Sequence, residues 1–215
     1  MSSIEKFNSQ TREEEIGNML THGAGTVLAI YGTYLLISRA LASHDVLNVV
    51  SACVFGGSLI VLYLMSTLYH SMTNVKVKKV LQVFDHCSIF VLILGTYTPF
   101  CLVTLRSTAG YFLFGMNALL TIIGLTLNII NVKKYHKLSL VFYLLMGWSI
   151  VFAIKPAMAS IPFRGLMMLL AGGLSYTFGV IFYKAEKMKF SHVIWHFFVL
   201  AGSILHFLCI YSYVI

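Results

Sequence analysis

Charge is what this chain has least of. Only 10% of its 215 residues are Asp, Glu, Lys or Arg, and just 7 are acidic. Soluble domains carry about a quarter charged residues, so a water-soluble fold is excluded. Cysteine is also sparse. Cys53, Cys87, Cys101 and Cys209 lie singly inside apolar segments. Without paired spacing they read as small buried hydrophobes, not as a disulfide framework or a thiolate metal site. There is no internal repeat, no low-complexity tract and no extramembrane domain. The polar Met1–Glu15 stretch has no basic region ahead of an apolar core, so a signal peptide is not expected there.

Apolar residues make up 59% of the chain. A helix needs about 20 of them in succession to span a bilayer. Seven stretches qualify, at 19–39, 46–72, 80–104, 110–130, 138–156, 164–184 and 192–214. The expected fold is an all-α integral membrane protein. It would have a short polar arm at 1–18 and one seven-helix bundle at 19–215.

The net charge of +8 does not mark a nucleic-acid partner, because its distribution is that of membrane orientation. Lys6 and Arg12 precede the first span. Lys76, Lys78 and Lys79, then Lys133, Lys134 and Lys137, then Lys184, Lys187 and Lys189 fall in alternate loops of the same side. That side holds eleven of the 15 basic residues. The other has only Arg39, Arg106, Lys155 and Arg164. Positive loops stay in the cytoplasm, so the amino terminus is expected inside and the carboxyl terminus outside. The partner is the lipid bilayer, and the place a plasma membrane, such as a bacterial inner membrane.

Orientation assigns a depth to each polar side chain. Ser191-His192-Val193-Ile194-Trp195-His196 opens the last span with two imidazoles one turn apart, about 6 Å along the axis. Ser66 and His70 close the second span at the same depth, again at i and i+4. Asp85 and His86 stand within about two turns of that surface. Asn18 and His22 enter with the first span. Ionisable groups at such depths are costly and usually functional.

His70, His192 and His196 could supply three nitrogens to one ion, leaving a fourth position open as in catalytic zinc sites. Three imidazoles favour Zn²⁺ over Mg²⁺ or Ca²⁺. Asp85 could ligate the ion, accept a proton from its water, or pair with Lys78 or Lys79 at the interface. Ser66 could bond that water or a substrate oxygen, or its own helix carbonyl. Glu15, Asn18 and His22 share a face at i, i+3 and i+7. They could orient ligands or Asp85, or simply cap the helix. His206 lies about 15 Å beyond His196 and reads as an interhelical hydrogen bond. His86 points about 100° away from Asp85. His44 and His136 are expected in loops. Asn117, Asn128 and Asn131 are expected to hold helices together, and Gly23, Gly25, Gly172, Gly173 and Gly179 to permit their close approach.

These patterns together resemble the haemolysin III proteins of bacteria, within the wider progestin and adipoQ (adiponectin) receptor superfamily. The resemblance rests on Glu15-x-x-Asn18-x-x-x-His22, Ser66-x-x-x-His70, Asp85 opening the third span, and His192-x-x-x-His196. Gly95-Thr96-Tyr97-Thr98-Pro99 and Ile194-Trp195-His196 resemble the bacterial branch. The resemblance covers nearly the whole chain. It implies a seven-helix bundle with zinc near the cytoplasmic side, bound by His70, His192 and His196, with Asp85 and Ser66 holding the zinc-bound water. The related alkaline ceramidases imply hydrolysis of a lipid amide or ester. A non-catalytic sensor or membrane-homeostasis protein with structural zinc is the alternative. A cytolysin is a third reading, implied by the family name alone.

Overall fold

A computed structural model of the chain describes residues 10–185 and 187–215. Among these residues there is no β-strand. Seven α-helices run α1 Arg12–Ala42, α2 Val46–Ser71, α3 Val75–Pro99, α4 Thr108–Gly147, α5 Ile154–Ser160, α6 Phe163–Lys184 and α7 Ser191–Tyr213. A π-helical turn, Phe100–Thr104, continues α3 past Pro99, and a 3₁₀ turn, Ser149–Ala153, joins α4 to α5. Among the described residues, six helical segments are long and apolar enough to cross a membrane. Their outward faces carry Val27, Tyr31, Phe112, Ile122 and Phe178, all exposed. A surface of this kind belongs in lipid rather than water.

Helix onsets follow side-chain caps. Thr11 and Glu14 form a reciprocal capping box, which satisfies two of the amide donors left over at a helix start. The first helix therefore begins seven residues before its apolar run. Residues 12–18, expected in the polar arm, are its first turns; the part of that arm at 1–9, with Lys6, lies outside the described residues. Asn74 caps α3 by accepting from the Lys76 and Val77 amides. Asp45 caps α2 and also accepts from the Arg106 guanidinium. That hydrogen bond, with help from the Leu47 amide, holds the Asp45 carboxyl below the usual carboxylate range.

The expected fourth and fifth spans are not separated by a loop. They form one long helix broken at Asn131, whose backbone is extended (φ −165, ψ 91). The Asn131 side chain accepts from the Lys134 amide, so it caps the second arm instead of joining helices. His136, expected in a loop, sits in that arm. The two arms fold back on each other. Asn117 donates to Ser149 at 2.9 Å, and Ser139 donates to Asn128 at 2.8 Å. Their numbering rises in one arm as it falls in the other, so the arms are antiparallel.

Helix α1 packs against α2 and α7, α2 against α3, α3 against α4, and α6 against α7. Glycines permit several of these approaches: Gly25 faces Tyr63, Gly172 faces His206 and Gly179 faces Trp195. At Gly23 and Gly173 an added methyl group would meet its nearest neighbour at 3.8 Å, an ordinary contact, so neither approach needs glycine. At Gly124 an added methyl group would overlap the Phe90 ring. Phe90 is fully buried and packs on Tyr143, so it has no room to yield. Gly124→Ala should lower stability by about 1–3 kcal/mol, the usual cost of overpacking. A melting temperature in detergent equal to wild type would mean that α3 and α4 pack more loosely than this.

Candidate metal centre

The start of α7 is pinned by α1. Phe190 has a left-handed backbone (φ 59) just before the helix, and its amide donates to Glu14 Oε1 at 2.7 Å. This contact brings His192 and His196 to the first turns of α1 and the last turns of α2. Ligand nitrogens of His70, His192 and His196 lie within 4.8 Å of one another, and the group could hold a metal ion. His70 and His196 are buried and His192 is partly so.

Two of the three rings have their orientation fixed. His70 Nδ1 lies 2.7 Å from Glu15 Oε2. A carboxylate only accepts, so Nδ1 carries a proton, and in the neutral ring Nε2 keeps the lone pair. Thr21 Oγ1 is 3.1 Å from His196 Nδ1 and also within 3.0 Å of the Gly17 and Asn18 carbonyls. The hydroxyl has one proton, and the carbonyls can only accept it. When it donates to one of them it accepts from His196 Nδ1–H, and the neutral His196 ring then keeps its lone pair on Nε2. His70 Nε2 is buried and has no hydrogen-bond partner. A lone pair so placed is costly unless something satisfies it. These residues fit a metal ion of the zinc type, which takes neutral imidazole nitrogen.

The remaining candidates take separate places. His22 stacks on His196 with ring centroids 3.5 Å apart and planes 9° from parallel, and its edge meets Tyr63. Neither His22 ring nitrogen has a hydrogen-bond partner. Asn18 is buried but turns its amide to Gln10, 2.8 Å away; its carbonyl, not its side chain, reaches Thr21. Ser66 and Asp85 line the same cavity as His192 and His196. Its volume is about 410 Å³, and most of its wall is apolar. Asp85 is not among the atoms that converge within 4.8 Å, so direct ligation is not what this geometry offers. Its carboxylate lies 3.7 Å from His86.

Lys78, one of the two lysines that could pair with Asp85 at the interface, is found elsewhere. Lys78 is 1% exposed and pairs with Glu15 at 3.1 Å. His206 donates from Nε2 to the Leu169 carbonyl at 3.2 Å, as its depth implied. Thr21, Glu14 and Lys78 were not among the expected site residues. Glu14 has a sequence signal, since Thr11-Arg12-Glu13-Glu14 is a capping-box pattern. Lys78 stands seven residues before Asp85, on one face of α3. Thr21 has no signal apart from its place next to His22.

Apolar helices enclosing a trio of imidazoles, two of them buried, define a multi-pass membrane protein with a candidate metal site. The chain belongs to the haemolysin-III related family, whose model matches residues 10–207. It is 43% identical over 213 residues to Hemolysin-3 of Bacillus cereus, covering 98% of this chain and 97% of that one. It is likewise 43% identical over 203 residues to a Hemolysin-3 homolog of Bacillus subtilis (strain 168), covering 94% and 95%. The similarity extends to the human monocyte to macrophage differentiation factor, at 31% identity over 213 residues, 93% of this chain and 84% of that protein.

Proposed function

We propose that this is a zinc-dependent hydrolase of a lipid amide or ester, with seven membrane crossings and its site near the cytoplasmic face of a bacterial plasma membrane. One observation carries the reading. His192 and His196 stand in the wall of an apolar cavity that also presents the Asp85 carboxylate and the Ser66 hydroxyl, and their ligand nitrogens converge with that of His70. His70, His192 and His196 would hold the zinc, which when bound would acidify a water and polarise a carbonyl.

The chain's own groups supply the rest. Asp85, on the cavity wall but outside the trio, takes the proton that the attacking water gives up. Ser66 donates a hydrogen bond to a substrate oxygen. Glu15 and Thr21 hold the ring tautomers of His70 and His196. The apolar wall takes the acyl chain and excludes bulk water. Lipid enters laterally from the inner leaflet. The structural-zinc alternative would be favoured by a fourth protein ligand, but among the described residues only three converge. The cytolysin reading rests only on the names of the Bacillus relatives.

The antiparallel arms of α4 support seven crossings, and the basic residues support an inside amino terminus. A topology reporter fused after Ile215 should read extracytoplasmic. One inserted at 131–137, beside the bend, should read cytoplasmic. Both on one side would refute the seven crossings. Turnover is tested by fatty acid released from ceramide and acyl-lipid panels by wild type but not by Asp85→Asn.

A further inference from the structure

The geometry points to Lys78 as a positioning residue for the metal centre, acting through Glu15 on His70. The inference rests on the metal reading above. Lysine is rarely buried unless paired, and Lys78 is 1% exposed. Its ammonium lies 3.1 Å from Glu15 Oε1, 3.0 Å from the Tyr69 carbonyl and 3.4 Å from the Met72 carbonyl. It also sits 4.7 Å from the Tyr69 ring centroid. One side chain thus joins α3, its own helix, to α1 and to the end of α2.

Each of these attachments bears on the site. Glu15 uses one oxygen for Lys78 and the other for His70 Nδ1. Holding the first oxygen fixes the carboxylate's rotation, and so the direction in which the second accepts. Tyr69 is the residue before His70, so the carbonyl contact fixes the last turn of α2. Asp85 lies two turns further along the same face of α3, about 10 Å away along the axis. The anchor that aligns His70 therefore also sets the axial position and rotation of Asp85. A carboxylate–histidine pair behind a metal ligand typically raises metal affinity 10–100-fold. Here that pair is held in place by a lysine from a third helix.

The test is a double-mutant cycle on purified full-length protein, with zinc affinity read by chelator competition. The melting temperature of the metal-free protein is measured beside it. Lys78→Met should weaken zinc binding by about 10–100-fold, as should Glu15→Gln. The double variant should bind less than about threefold more weakly than Glu15→Gln alone, because Lys78 acts through that carboxylate. Zinc affinity of Lys78→Met within about threefold of wild type would overturn the inference. So would independent, multiplying losses in the double variant. A lower melting temperature with unchanged affinity would make Lys78 purely structural. If Lys78→Met does not fold, Lys78→Gln removes the charge, keeps a donor for the Tyr69 carbonyl and serves the same cycle. Failure of the metal reading itself is separate, since wild-type protein would then bind no zinc.

Discussion

Alanine in place of His196 should leave a folded protein that no longer holds zinc. The same result is expected for His192→Ala and His70→Ala. Each removes one of three converging nitrogens, and two imidazoles in an apolar wall are a poor site for an ion that takes four ligands. Changes behind a ligand alone cost 10–100-fold, so removal of the ligand itself should exceed about 100-fold. Equilibrium dialysis with metal analysis gives the affinity. Thermal unfolding gives a second reading, because a metal bound only by the native state stabilises it by about 2.7 kcal/mol at 100 times its dissociation constant. Zinc should raise the melting temperature of wild type and not of these three variants. His206→Ala is the control. Its ring bonds the Leu169 carbonyl and lies about 15 Å along α7 from His196, so zinc binding should persist. Equal loss from His206→Ala would move the site to another part of the bundle.

Asp85→Asn should keep zinc and lose turnover. The carboxylate stands on the cavity wall outside the imidazole group, so the amide leaves the ligand set intact. The amide has nearly the same shape but cannot take the proton from water. Loss of a general base typically costs about 10²–10⁴-fold. Ser66→Ala should cost less, because the metal and Asp85 remain. The measurement is fatty acid released from ceramide and acyl-lipid panels, followed by mass spectrometry in inner-leaflet-like lipid. Release that tracks both zinc and Asp85 establishes hydrolysis. Equal release by wild type and Asp85→Asn is contamination. No release by wild type, with both variants acting only on stability, is the outcome of a structural zinc.

Much of this was legible because bilayer-spanning helices announce themselves as apolar runs and loop lysines assign their depth. The histidine group followed from that depth and from i, i+4 spacing on α2 and α7. Features set by caps and packing were less visible. The onset of α1 at Arg12 depends on Thr11 and Glu14, which precede the apolar run. The joint between the expected fourth and fifth spans is a single residue, because Asn131 breaks the helix and caps its continuation at once. Glu15 stood out as a possible partner for a ligand. That it turns to His70 depends on which face of α1 meets α2. Lys78 was weighed as a partner for Asp85 and instead answers Glu15. Both carboxylates are within reach in sequence terms, and only the rotation of α3 chooses between them.

The central claim is that His70, His192 and His196 hold one metal ion with a position left open to the cavity. X-ray absorption at the zinc edge of the purified, zinc-loaded protein tests it most directly, with metal content measured on the same sample. About one zinc per chain is expected, with three imidazole nitrogens and one oxygen in its shell. No bound zinc, or a shell closed by four protein ligands, would contradict it.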